Sequence, residues 1–313
     1  MPYNSIIERG DAAALIPEEV SREIIQNVPQ YSAVMQLARR LTNMSRRQRR
    51  LPVLSALITA YFVSGDTGLK QTSELAWSNK YINAEELAVI VPIPEAVLDD
   101  AGYDIWAEVR PRIEEAFAVA FDAAVLHGSN APSDWPDDLV AGATAAGNSV
   151  ALGTGADIYD DVMGLGGTLA TVEADGYTVN GHVAAMTMKA RLRGLRDANG
   201  VPIFNSSVQA PTRYELDGAQ VVFPTNGAVD ATSALLISGD WTQLVYAMRQ
   251  DITYKVLTEA VIQDASGTIV YNLAQQDMVA LRAVMRLGWQ LPNPINRLQQ
   301  TEASRYPFAV LTP

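Results

Sequence analysis

The acids of "DIYDDV", Asp157, Asp160 and Asp161, could supply oxygen ligands to a divalent cation. "GTG" at 153–155 and "GLGG" at 164–167 are short glycine runs of the kind that can cradle a phosphate. Context argues against both. The acids open a helical pattern, where carboxylates complement the N-terminal dipole. The glycines lack the preceding strand, the spacing and the downstream acid of a dinucleotide site, so they read as packing and turn glycines. The two histidines, His127 and His182, have no second ligand at metal spacing, and His127 falls at a helix C-terminus, where it has a structural reading. With no cysteine there is no disulfide framework and no thiolate for zinc or nucleophilic chemistry. No catalytic residue, cofactor or metal is expected.

The strongest charge feature is basic. Arg39, Arg40, Arg46, Arg47, Arg49 and Arg50 crowd into "ARRLTNMSRRQRRLPV" (38–53), in a chain of formal net charge −12 that would be −18 without them. From Ile113 to Met188 there is no Lys or Arg, but there are eleven acids. Such asymmetry suits a basic arm lying on an acidic surface, its own or a neighbour's. Clustered arginine also neutralises phosphate, so nucleic acid competes as partner. A solvated basic helix end is the third reading.

Around these residues, 313 positions with 48% hydrophobic and 19% charged residues and a mean hydropathy of +0.03 predict one or two folded domains. The N-terminus lacks a signal-peptide pattern and no apolar run approaches eighteen residues, so a soluble, non-exported, intracellular protein with no membrane partner is expected. Val20, Ile24, Ile25 and Val28, then Val34, Leu37, Ala38 and Leu41, recur at helical spacing on either side of Pro29, predicting two short helices on an extended arm. After Pro52 the chain is β-rich, turns through "SGDTG" and returns to an alternating strand that reaches Pro92 and Pro94. That pattern predicts one long hairpin with too little core to fold alone. The stripe Ile105, Val109, Ile113, Ala116, Phe117, Ala120, Phe121, Ala124 and Val125 predicts a long helix ended by Gly128, with an irregularity at Pro111. Asp104, Glu108, Arg112, Glu115 and Asp122 lie largely off that stripe. Residues 129–156 read as loops and a boundary, and "DIYDDVMGLGGTLATVEADG" as a helix weakened at its glycines. "GHVAAMTM" reads as a strand, "KARLRGLRD" as a helix, "DANGVPIF" as a turn into a strand, and the remainder as mostly strands. The fold class is α+β without regular βαβ alternation.

Five stretches in order carry a resemblance: "IPEAVLDDAGYDIWAEVRPRIEEAFAVAFDAAVLHGS", "AAMTMKARLRGLRDANGVPIF", "GAQVVFP", "SGDWTQLVYAMRQDITYKV" and "QDMVALRAVMRLGWQLPNP". Together they resemble the HK97-fold major capsid proteins of tailed double-stranded DNA bacteriophages. The resemblance implies an N-terminal arm with its lead-in at 1–54 and an E-loop at 55–90. It implies a P-domain from 91–135 and 250–290, with a spine helix at about 104–127, and an A-domain from 136–249 and 291–313. It further implies self-assembly into pentamers and hexamers of an icosahedral shell that encloses DNA without reading its sequence. A scaffolding protein, a portal and a decoration protein would be partners, the virion capsid the location, and the host cytoplasm the place of assembly. Contact between subunits is expected at Arg39, Arg40, Arg46, Arg47, Arg49, Arg50, Lys70, Trp77, Lys80, Glu108 and Glu115, with the arginines clamping the acidic helix face. Two departures stand out. Arm-like sequence starts near residue 15, and with Met1 this suggests little or no processing. Lys70 and Lys80 are the only lysines in the hairpin, with no matching Asn and Glu placed for the covalent cross-link of some members. An encapsulin nanocompartment holding cargo enzymes shares the fold and is the alternative, and an unrelated soluble enzyme is a further one.

Overall fold

The computed structural model describes residues 31–63, 68–101, 104–196 and 214–313. Two sheets organise them, and one hydrophobic core reaches into both. The first has four strands in the order β1 (Arg39–Arg40), β10 (Val245–Leu257), β13 (Met278–Gln290) and β4 (Glu85–Pro94). β13 lies between antiparallel neighbours, in register from Val245 opposite Gln290 on one side and from Met278 opposite Pro94 on the other. Its near-continuous apolar sequence follows, because both of its faces are covered.

Helix α3 (Ile105–His127) lies against this layer. Asp104 caps it, accepting from the Trp106 and Ala107 amides at 2.9 and 3.3 Å, and Gly128 ends it in the left-handed region at φ 66°. The predicted helix and its stop are present, and helical residues run unbroken through Pro111. Ile113, Phe117, Phe121 and Val125 share one core with Leu281, Ala283, Met285, Leu287 and Trp289. α2 (Glu95–Asp100) links β4 to this helix.

The second sheet has six strands in the order β5 (Ser149–Ala151), β14 (Phe308–Thr312), β9 (Leu236–Gly239), β6 (Gly181–Ala184), β8 (Ala219–Val222) and β7 (Glu215–Leu216). With it go α4 (Leu139–Ala146), α5 (Ile158–Met163), α6 (Thr168–Ala174) and α7 (Met186–Gly194). Val150, Val162, Leu169, Met188, Leu236 and Leu311 form part of its core. The strand nearest the C-terminus is therefore an interior one. Two hairpins complete the chain: β2 (Gln48–Ala56) with β3 (Ala76–Asn83), and β11 (Val261–Gln263) with β12 (Ile269–Asn272).

Several local expectations change. The second arm helix is only α1 (Ala33–Leu37), because the Arg39 and Leu41 amides bond to the Leu244 and Tyr246 carbonyls, at 3.0 and 2.8 Å, and draw the arm into the sheet. The alternating strand at 85–94 pairs with β13 instead of closing the hairpin. Within the expected loop at 129–156, Asp138 caps α4 and Gly147 ends it. The pattern from Asp157 splits into α5 and α6 at Gly164 and Gly167, where an added Cβ would lie 2.5 and 2.8 Å from the Asp160 carbonyl oxygen. β6 covers only the first half of "GHVAAMTM", whose methionines begin α7. The expected helix at residues 17–28 and the turn "DANGVPIF" lie outside the described residues.

Candidate intersubunit surface

The residues with the most chemical potential hold one another. Asp161, buried beside Val162, accepts from the Gly153 and Gly155 amides at 2.7 and 2.6 Å, while Asp157 caps the Asp160 amide at 3.1 Å. The acidic and glycine motifs thus form one closed loop-to-helix joint. Among the described residues no group of three or more His, Asp or Glu side chains is arranged to hold a metal.

His127 lies beside Ser233 and Asp230, a set suggesting nucleophilic catalysis until its protons are placed. Its Nε2 faces the Asp230 backbone N–H at 3.1 Å and must accept, so Nδ1 carries the proton and donates to Ser233 Oγ at 2.9 Å. The imidazole therefore cannot take the serine proton, and that hydroxyl donates to the Asp230 carbonyl at 3.2 Å. Burial lowers the His127 pKa, partly opposed by Asp230 and Asp138. His182 is fully buried between Ser238 Oγ, 2.8 Å from Nδ1, and the Leu216 carbonyl, 3.3 Å from Nε2; burial pushes its pKa down to about 4. Both histidines pin strands or helix ends.

The arginine strip is divided by its strand geometry. Arg47 sits where the arm enters β2 and bonds to Glu85 at 2.7 Å and Asp134 at 2.8 Å, contacts that raise its pKa. Arg49 donates to the Thr42 carbonyl and hydroxyl at 2.9 and 3.1 Å, and Arg40 to Asn43 at 3.3 Å. The guanidinium groups of Arg39, Arg46 and Arg50 make no hydrogen bond or ion pair with described residues. Glu115 pairs with Arg112 at 2.8 Å on its own helix, and Glu108 is half-buried near the helix start. Within the chain Arg47 meets acids of β4 and of the turn after α3, not Glu108 or Glu115. Nothing in the sequence pattern singles out Glu85 and Asp134, which are brought together only by the fold.

The β2/β3 hairpin is held by a few polar contacts along its length and leaves much apolar surface bare. Lys80 pairs with Glu302 at 2.8 Å, the Ile295 amide reaches the Leu54 carbonyl at 3.2 Å, and Arg297 reaches the Ile58 carbonyl at 2.8 Å. Beside these ties Lys70 is exposed and so are large apolar side chains: Ile58, Tyr61, Phe62, Leu69 and Trp77, with Phe62 fully open to solvent. The β11/β12 hairpin likewise exposes Val261, Ile269, Val270 and Tyr271. Two-stranded ribbons with so much apolar surface call for a covering partner.

The phage capsid family matches residues 12–296. The major capsid protein of Staphylococcus phage 80alpha is 29% identical over 274 residues, 86% of this chain and 79% of that one. A solved chain from Microbacterium phage Oxtober96 is 39% identical with a TM-score of 0.84, covering 99% of this chain and 100% of its own. One from Mycobacterium phage Cain is 31% identical with a TM-score of 0.83, covering 99% of each. These relatives disfavour the nanocompartment alternative, and a structural family of this kind suggests a role other than catalysis. Two sheets, an arm and two uncovered ribbons are accounted for together when many copies cover one another in a capsid shell: the chain belongs to the phage capsid family and is a major capsid protein of tailed phages, with the HK97-like fold.

Proposed function

We propose that the subunits close into pentamers and hexamers tiling an icosahedral shell around double-stranded DNA, assembled in the host cytoplasm. The observation that carries this reading is the apolar outer part of the β2/β3 hairpin, Ile58, Tyr61, Phe62, Leu69 and Trp77, whose side chains are exposed on a two-stranded ribbon held by a few polar contacts. In this reading residues 1–54 form the arm and its lead-in and 55–90 the E-loop. Residues 91–135 and 250–290 form the P-domain, and 136–249 with 291–313 the A-domain. Neighbours supply the surface that each ribbon lacks, burying on the order of 2,000 to 5,000 Å² or more per subunit, as obligate assembly does. Arg39, Arg46 and Arg50 face outward and meet acids of the adjacent subunit, setting register through charge. A scaffolding protein, a portal and a decoration protein are the further partners. The DNA is held by enclosure, since a net acidic wall binds duplex weakly and lets it slide.

Electron microscopy of the protein expressed alone, with size exclusion and light scattering on the same sample, tests this. Closed particles, or pentamers and hexamers, are the expected result, with a scaffold co-expressed where none forms alone. A chain that stays monomeric with every candidate scaffold overturns the reading.

A further inference from the structure

Asp122 breaks the apolar rule of its helix: it is fully buried on α3, where sequence spacing places it off the core stripe. The reason is a long-range contact. Its carboxylate accepts from the Ser32 hydroxyl, from the Ala33 amide at 2.7 Å and from the Val34 amide at 3.2 Å, groups lying about ninety residues earlier in the chain. Ser32 Oγ in turn accepts from the Met35 amide at 2.9 Å, closing the first turn of α1. Beyond α1 the arm continues against β10, through the Arg39, Leu41 and Met44 amides bonded to the Leu244, Tyr246 and Met248 carbonyls. Among the described residues, Asp122 is thus the carboxylate that meets the arm at its end nearest the N-terminus.

We propose that Asp122 is an acid-responsive clasp, fixing the arm segment 32–44 to the spine helix and gripping it more tightly as the solution becomes more acidic. Placing an ionised carboxylate in a closed apolar site is costly even with three hydrogen bonds, and the proton relieves that cost. Burial accordingly pushes its pKa up to about 6, with the hydrogen bonds from Ser32, Ala33 and Val34 opposing. The ionisable groups on the surrounding elements are Tyr31, Arg39 and Arg40 on the arm, Glu108, Arg110, Arg112, Glu114, Glu115 and His127 on α3, Asp138 at the start of α4, and Tyr246, Arg249, Asp251, Tyr254 and Lys255 on β10. None of them contributes to the shift. The sign follows from linkage. A carboxyl that titrates near 6 when the arm is docked, and near its ordinary 3.8 when water reaches it, binds its proton better in the docked state. Docking is then about tenfold more favourable at pH 5 than at pH 8. Release would also uncover the sites of Ala33 and Val34, both buried in the core shared with Phe117 and Phe121. The device belongs to the single subunit and holds whether or not a shell forms.

Hydrogen exchange on the full-length unassembled chain, corrected for the intrinsic pH dependence of amide exchange, tests it. Protection of residues 32–37 is expected to be about tenfold higher at pH 5 than at pH 8. Asp122→Asn, isosteric and uncharged but with an amide nitrogen that cannot accept, should hold the arm less tightly and with no pH dependence between those values. Asp122→Ala should lose protection of 32–37 at both pH values while residues 113–126 of α3 stay protected. A wild-type profile flat in pH, or a tenfold slope that persists in Asp122→Asn, overturns the proposal. The asparagine comparison decides the matter even where the alanine variant fails to fold.

Discussion

At the residue scale, burial turned several potentially reactive groups into fastenings. His182 spans two strands, accepting from Ser238 and donating to Leu216, and it does so only as a neutral ring. Its folded pKa of about 4 lies below the ordinary 6.5, so its contribution is present above pH 6.5 and is lost as pH falls through 4. Thermal unfolding across that window should show a loss on the order of 3 kcal/mol from this group. In His182→Gln that loss should be absent, so that stability at pH 4 relative to pH 7 is higher than in the wild type by that amount; identical profiles would mean that the ring does not carry the effect. Asp122 acts in the opposite direction, gaining its proton in the folded state, which is why local exchange resolves its role and global melting does not. Arg305, also buried, donates to the Gln299, Gln300 and Asn293 carbonyls and to the Asn293 side chain, with no carboxylate among these partners. It ties down the turn-rich stretch between β13 and β14. Its pattern in the sequence is that of one more surface arginine.

At the element scale, the hairpin depends on a close crossing. Gly288 of β13 lies under the end of β3, and a Cβ there would stand 2.1 Å from the Asn83 carbonyl oxygen and 2.9 Å from an Ile82 methyl carbon. Gly288→Ala is therefore expected to lift the hairpin base at a cost of roughly 1–3 kcal/mol. Faster proteolysis or exchange of residues 76–84 would register this, with α3 unaffected; unchanged exchange there would show that the crossing yields without loss. The extent of the long helix was legible because one apolar stripe and a glycine stop agree over twenty-three residues, although Pro111 brings no break, Ala116 and Ala120 of the stripe are exposed and Asp122 off it is buried. The arm helix was not, since Val34, Leu37, Ala38 and Leu41 keep helical spacing while the backbone from Arg39 joins β10. A strand edge that completes its hydrogen bonds from a distant segment overrides local periodicity, and spacing cannot report where that edge lies.

At the scale of the whole molecule, the proposed shell gives the arm's charge a place, against neighbouring copies. Removing six arginines from the total would leave −18, and three of them, Arg39, Arg46 and Arg50, point outward without a side-chain partner among the described residues. Arg46→Glu with Arg50→Glu should preserve the monomer's melting temperature and abolish or sharply reduce particle formation without any DNA, measured by light scattering and microscopy. Normal empty particles from that variant would move the role of these residues from the neighbouring subunit to the genome. Raising the salt concentration should weaken assembly of the wild type in the same direction, because exposed pairs are screened over about 8 Å at physiological ionic strength.

The amino-acid sequence by itself determined the α+β class, the long helix with both of its ends, the presence of an uncovered hairpin and the ordered motifs of a capsid subunit. These are set by patterns a few residues long, repeated consistently along one element. The tertiary structure alone decided that Arg47 belongs to Glu85 and Asp134, that residues 85–94 leave the hairpin for β13, and that Asp122 turns inward to hold Ser32. Each of those outcomes depends on which distant group satisfies a buried charge or an open backbone edge, and that is a property of the packed chain rather than of any one stretch of it.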